Sequence, residues 1–263
     1  EIASCLVGSE MCIRDSAAAQ LADEISLKRF QALDLVIETK PDLTPVTDAD
    51  KAVEESFRKF ISQKRTDDLV IGEEFGAPNS ISGKHYWVID PIDGTKNFLR
   101  GVPVWATLIA LINEGGEVVV GVVSAPALNR VWYASKENGA FVKFNGVTKT
   151  ISVSKVNKIS DASISYSDLN GWGEREEKLL SLQDKVWRTR SYGDFWSYVL
   201  LAEGAVDIAT EPTLNLWDMA AVEIIVREAG GLFTNLDGKP GPHGGNALAT
   251  NGLLHEQVLK ALQ

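Results

Sequence analysis

The chain has 263 residues, 44% of them hydrophobic and 24% charged, with a formal net charge of -10, which is the make-up of a globular protein long enough for a full core. That acidity argues against a nucleic-acid or anionic-membrane surface. No apolar stretch approaches the roughly 20 residues needed to cross a bilayer, so a cytoplasmic location is expected. The only cysteines, Cys5 and Cys12, lie in the first dozen residues, and nothing suggests a disulfide framework. Their segment lacks both the basic start and the apolar core of a signal peptide and reads like a translated sequencing-adapter fragment. Residues 1–16 are therefore a candidate non-native leader.

In chain order, an apolar stripe of Leu21, Ile25, Leu33, Val36 and Ile37 predicts a helix over residues 17–38, ended by Pro41 and Pro45. Thr47 reads as the N-cap of a second helix through residue 63, with Val53, Phe57, Phe60 and Ile61 on one face. Strands are expected at 69–71 and 86–89. From 104 to 144 the pattern becomes antiparallel sheet, with strands at 105–112 and 118–124 and hairpin signals at Asn138-Gly139 and Asn145-Gly146. Beyond Lys155 strands at 163–165, 186–190 and 206–209 alternate with helices at 195–202 and 219–229, the last closed by Gly230-Gly231. Two α/β halves sharing an interface, 17–155 and 156–263, are the simplest architecture.

The most informative segment is Asp90-Pro91-Ile92-Asp93-Gly94-Thr95, straight after the strand Tyr86-Trp87-Val88-Ile89. Pro91 cannot continue a β-ladder and Gly94 allows a positive φ, so a turn that presents its oxygens is expected there. Open α/β sheets hold ligands at the C-terminal ends of strands, and two carboxylates, a carbonyl and a hydroxyl suit Mg²⁺. Two other acidic clusters also follow apolar runs: Glu73-Glu74 after Leu69-Val70-Ile71-Gly72, and Asp218 after Leu214-Asn215-Leu216-Trp217. Taken singly they have plainer readings. Glu73-Glu74 fits a solvated charge pair, Asp218 a helix-start acid, and Asp50 the closing residue of a Thr47-x-x-Asp50 capping box. The Asp90 turn is harder to explain as structure alone, because a turn needs neither two acids around a proline nor the Gly-Thr that follows.

Gly72-Glu73-Glu74, Trp87 through Phe98, and Trp217-Asp218-Met219-Ala220-Ala221 together resemble the three signatures of the inositol monophosphatase family, in order and spacing. The resemblance implies a layered αβαβα sandwich and a magnesium-dependent, lithium-sensitive phosphomonoesterase, commonly a homodimer. Segments 188–198, 203–209 and 241–254 are most similar to the histidinol-phosphate phosphatase branch. Phe195, Trp196 and Tyr198 within them fit helix packing as well as substrate contact.

By the same resemblance Glu73, Asp90 and the Ile92 carbonyl would hold one Mg²⁺, and Asp90, Asp93 and Asp218 a second, with two or three ions per site. Thr95 would orient the attacking water and Asp50, accepting a hydrogen bond from Thr95, would assist its deprotonation. The Gly94 and Thr95 amides would cradle the phosphate, and Arg190 and Glu211 would contact the rest of the substrate. Asp194 is a further candidate for a cationic substrate end, with helix capping as its plainer role. With only His85, His243 and His255 present, no Ser/His/Asp arrangement is evident. The expected partner is a small phosphate monoester: histidinol phosphate first, inositol 1-phosphate or a related sugar phosphate second. A binding protein that keeps the fold without the chemistry is a third reading, disfavoured by the intact acidic constellation.

Overall fold

The computed structural model describes residues 10–41, 43–78 and 83–263, with side chains described from residue 17 onward. Residues 1–9, most of the suspected leader, lie outside the described residues.

Helices α1 (Glu10–Arg29) and α2 (Asp48–Lys64) cover one face of a seven-stranded sheet in the order β3-β4-β5-β6-β7-β8-β9. Its strands are β3 (Leu69–Gly72), β4 (Tyr86–Asp93), β5 (Ala106–Ile112), β6 (Val118–Ala125), β7 (Arg130–Ser135), β8 (Ala140–Phe144) and β9 (Val147–Ile151). Only β3 and β4 pair in parallel; the rest is an antiparallel meander. Period-two alternation sorts the side chains. Trp87, Ile89, Ile109, Leu111, Val120 and Val122 face α1 and α2 with Ala18, Ala22, Val53, Phe57 and Ile61. Val88, Leu108, Ala110 and Ile112 face the opposite way.

That opposite face receives α5 (Asp194–Ala202) and α6 (Leu216–Glu228), whose far side meets a five-stranded sheet ordered β11-β10-β12-β14-β13. Its members are β10 (Ser163–Ser165), β11 (Arg188–Arg190), β12 (Ile208–Glu211), β13 (Leu232–Thr234) and β14 (Ala247–Thr250). Helices α4 (Glu176–Gln183) and α7 (His255–Leu262) close the outside through Leu179, Leu182, Val258 and Leu262. The layers are thus αβαβα, as the resemblance implied. The middle core draws residues from both sides of position 155, Leu108 and Trp132 beside Tyr198 and Ile224. Gly121 makes this approach possible: a Cβ there would lie 2.5 Å from Ile224 Cγ2 and 2.6 Å from the Ala221 carbonyl.

Both Asn-Gly hairpins form where expected, joining β7 to β8 and β8 to β9, and Thr47 caps α2 through a capping box with Asp50. Two expectations fail. The first helix stops at Arg29, not at residue 38, because Gln31 adopts a φ of 61° and Arg29 folds the chain back by bonding the Asp34 carboxylate, the Asp34 carbonyl and Asp48. Leu33, Val36 and Ile37 had only helical spacing in common, and all three are exposed. The chain next forms a hairpin of β1 (Ile37–Thr39) and β2 (Pro45–Thr47). The second failure is at Pro91, which does not end its strand: β4 runs to Asp93 across a bulge, with Asp90 opposite Leu108 and Asp93 opposite Ala106. A bulge frees proline of the ladder bond it cannot donate.

Candidate active site

The bulge is held from below. Thr107 Oγ1 donates to the Pro91 carbonyl at 2.8 Å, and the Ile92 amide donates to Asp90 Oδ1 at 3.0 Å. Gly94, at a φ of 83°, then turns the chain into the short helix α3 (Thr95–Leu99). The first amides of a helix have no partner inside it, and here they come at the edge of a cleft of about 190 Å³. Its walls are Thr44 and Pro45 from the β1–β2 hairpin, Glu73, the segment from Asp90 to Lys96 without Pro91, and Asp194 and Asp218 from the starts of α5 and α6.

Oxygens of Asp90, Asp93 and Asp218 lie within 4.8 Å of one another. Asp93 is tied down by the Phe195 amide (2.6 Å) and Asp218 by the Asn215 amide (2.6 Å), so the elements that bring the acids together also fix their rotamers. Burial, and then repulsion from neighbouring carboxylates, pushes Asp90 and Asp93 well above the usual range. Burial likewise pushes Asp218 up to about 7 and Asp50 up to about 6. Acids crowded against their own charge call for a cation. With the Ile92 carbonyl alongside, the donor set is all oxygen and fits a hard divalent ion.

Glu73 lines the same cleft, its carboxylate 2.7 Å from Lys40 Nζ, which also holds Glu74 at 2.7 Å. The Thr95 hydroxyl donates to the Ile92 carbonyl at 3.0 Å, not to Asp50. Asp50 Oδ2 instead accepts from the Thr47 amide (2.8 Å) and hydroxyl (2.5 Å), because closing its own helix cap is the nearer bond. Its Oδ1 is buried with no hydrogen-bond partner among the described residues.

Glu211, at the end of β12, is buried and accepts from Ser167 Oγ at 2.7 Å, while Ser167 Oγ accepts from the Asp194 amide at 3.3 Å. Burial raises Glu211 to about 8 and Asp194 above the usual range. A Cβ on Gly94 would lie 3.1 Å from the Val104 carbonyl oxygen and 3.4 Å from Asp194 Oδ2, which places this acid beside the turn. None of Glu211, Asp50 and Arg190 is among the residues that wall the cleft, and Arg190 lies furthest from such a role, exposed on the edge strand β11 and donating to the Thr189 carbonyl. Lys40, Ser167, Thr44 and Lys96 are the site residues that sequence reasoning missed. No local signal marks the first two, since Lys40 lies 33 positions from Glu73 and Ser167 lies 44 from Glu211.

Comparison with known proteins bears on the fold and the family. A histidinol-phosphatase of Mycobacterium tuberculosis is 57% identical over 249 residues, covering 94% of this chain and 95% of that protein, and one of Streptomyces coelicolor is 57% identical over 248 residues, covering 92% of each. Among solved structures, the extragenic suppressor protein suhB of Bartonella henselae superposes with a TM-score of 0.87 at 28% identity, covering 97% of this chain and 99% of that one. A Thermotoga maritima IMPase superposes with a TM-score of 0.85 at 28% identity, covering 97% of each chain. Residues 9–263 match the family model, so the chain with the Asp90 bulge and its convergent aspartates belongs to the inositol monophosphatase family.

Proposed function

We propose that this protein is a Mg²⁺-dependent phosphomonoesterase that hydrolyses histidinol phosphate to histidinol and phosphate. The observation that carries the choice of substrate is the 57% identity to histidinol-phosphatases across nearly the whole of both chains. The site is compatible with it. Glu211 and Asp194, linked through Ser167, form an acidic end suited to a cationic organic group.

Glu73, Asp90 and the Ile92 carbonyl would hold one Mg²⁺, and Asp90, Asp93 and Asp218 another. Bound there, the ions would neutralise the phosphate, acidify a water and stabilise the departing oxygen. The chain's own groups supply orientation. Thr95 spends its proton on the Ile92 carbonyl, which leaves its hydroxyl oxygen free to accept from a water. Asp50, raised to about 6, is mostly ionised above neutrality and close enough to that range to accept a proton, with Oδ1 free for the task. The amides of Gly94 and Thr95 would receive the phosphate oxygens.

A second reading, an inositol 1-phosphate or related sugar phosphatase, draws on the Glu211–Ser167 bond, which shows Glu211 accepting from a hydroxyl as it would from a sugar. An inositol-1-monophosphatase of Caulobacter vibrioides is 30% identical over 254 residues. We further propose a cytoplasmic homodimer, a state that light scattering of the purified protein would check. The decisive test is phosphate release from histidinol phosphate, inositol 1-phosphate, fructose 1,6-bisphosphate and adenosine 3',5'-bisphosphate at saturating Mg²⁺. Histidinol phosphate should give the highest kcat/KM. Preference for inositol 1-phosphate would overturn the substrate, and full activity after exhaustive chelation would overturn the metal.

A further inference from the structure

Glu73 sits on a closed five-residue loop. Gly72 and Gly76 exchange both backbone bonds, at 3.2 and 3.0 Å, and pinch off Glu73, Glu74 and Phe75 between them. Inside that loop lies the carboxylate of Glu54, a fully buried α2 residue that the Asp50, Thr95 and aspartate machinery does not use. Glu54 Oε2 accepts from the Glu74 amide at 2.7 Å and Oε1 from the Phe75 amide at 3.2 Å. Arg58, one turn further along α2, pairs with Oε1 at 2.7 Å and grips both ends of the same segment through the Val70 carbonyl (3.0 Å) and the Gly76 carbonyl (2.7 Å). The fit leaves no slack: a Cβ on Gly72 would fall 2.0 Å from Glu54 Oε1.

Asp50, Glu54 and Arg58 are spaced by four along one helix and therefore share a face. Asp50 at one end of that face is tied up in its helix cap, and the other two residues clamp the loop that carries Glu73, among the described residues the one cleft-lining acid not supplied by the bulge or by α5 and α6. A loop this short would not hold its backbone at one angle unaided, since its amides would otherwise exchange with water. A buried carboxylate already neutralised by a five-donor guanidinium gives those amides a fixed acceptor.

We propose that Glu54 and Arg58 are positioning residues that set the affinity of the metal site to which Glu73 contributes, acting through the backbone of the Gly72–Gly76 loop. The inference rests on Glu73 being a metal ligand. Removing groups that orient a ligand weakens metal binding by roughly 10- to 100-fold. Glutamine at 54 could not replace the carboxylate, because either amide orientation turns N–H groups toward Arg58 or toward the Glu74 amide.

The test is titration of the full-length protein with Mn²⁺, followed by electron paramagnetic resonance of the free ion, for wild type, E54Q, R58M and R58K. One site should weaken by about tenfold in E54Q and R58M, and by less in R58K, which keeps the charge but loses the fork. At saturating metal the KM for p-nitrophenyl phosphate should stay within about twofold of wild type, a split that general loosening of the fold would not produce. Should E54Q fail to fold, R58M and R58K carry the test, with circular dichroism melts reporting their integrity. Folded variants with wild-type Mn²⁺ titrations would overturn the proposal. A wild type that binds Mn²⁺ at this site but hydrolyses no ester would refute the functional reading and leave the clamp standing.

Discussion

Asp218→Asn tests whether the aspartates are assembled against their own repulsion. Burial above all, then the Glu73 charge, lifts Asp218 from its ordinary 3.8 to about 7. An acid whose folded pKa exceeds its unfolded one binds extra protons when folded. Its contribution to stability is therefore full below about pH 3.8 and is lost as pH rises through about 7. Three pH units correspond to about 4 kcal/mol. Because Asp218 titrates together with the buried Asp90 and Asp93, that figure belongs to the cluster and not to one acid, and deleting one charge should recover a part of it, on the order of 2 kcal/mol. The asparagine oxygen can still accept from the Asn215 amide, so the start of α6 keeps its cap. In chelator at pH 8, calorimetry should find the variant melting roughly 4–8 °C above wild type, and the gap should narrow toward pH 5, where wild-type Asp218 is itself neutral. Saturating Mg²⁺ should reverse the order, since a ligand that binds only the folded state stabilises it. A variant that melts at or below wild type in chelator at pH 8, or a gap that does not narrow at pH 5, would refute the reasoning.

Gly121→Ala places a methyl where Ile224 Cγ2 and the Ala221 carbonyl already stand, and it should cost about 1–3 kcal/mol, read as a lower melting temperature with an unchanged Mn²⁺ titration. A melt equal to wild type would mean that β6 and α6 can part without penalty. Burial raises Glu211 to about 8, and a cationic substrate end should bind its ionised form. The kcat/KM for histidinol phosphate should accordingly rise between pH 6.5 and 8.5 relative to that for p-nitrophenyl phosphate. Glu211→Gln should flatten this ratio and lower it by roughly tenfold or more, whereas equal losses on both esters would show that Glu211 supports the site without reading the substrate.

Where local chemistry decided the backbone, the sequence was easy to read. Asn145-Gly146 forms its hairpin with both residues at positive φ (49° and 79°), and Thr47 caps α2 because its hydroxyl reaches the amides of Ala49 and Asp50. Reading failed where a distant partner decided. The end of α1 depends on Arg29 finding Asp48, and the exposed Leu33, Val36 and Ile37 offered a helical period with nothing to bury it against. Strand β13, of three residues, is too short for periodicity to stand out, and helix α7, of eight, shows its buried positions His255, Val258 and Leu262 over only two turns. Both escape a reading by pattern although they complete the sheet and the outer layer.

The site shows why the plainer readings of its acids were hard to separate from the functional ones. Asp50 is the last residue of a capping box and Asp218 occupies the same place at the start of α6, yet the proposed mechanism gives both a part in the chemistry. A carboxylate has two oxygens and a cap needs only one of them. In Asp50 the cap takes Oδ2 through Thr47 and leaves Oδ1 buried without a partner. In Asp218 the Asn215 amide binds Oδ2, while the carboxylate lies within reach of Asp90 and Asp93. The cap fixes the rotamer, and a fixed rotamer is what a ligand or base requires if it is not to lose side-chain entropy at the moment of binding. On the proposed mechanism the structural and functional roles would be the same bond seen from two ends. Thr47→Ala, by freeing Asp50 to turn, should accordingly impair turnover more than its loss of helix stability alone would predict, and a kcat equal to wild type in a variant with a lowered melting temperature would show that the cap does not serve the chemistry.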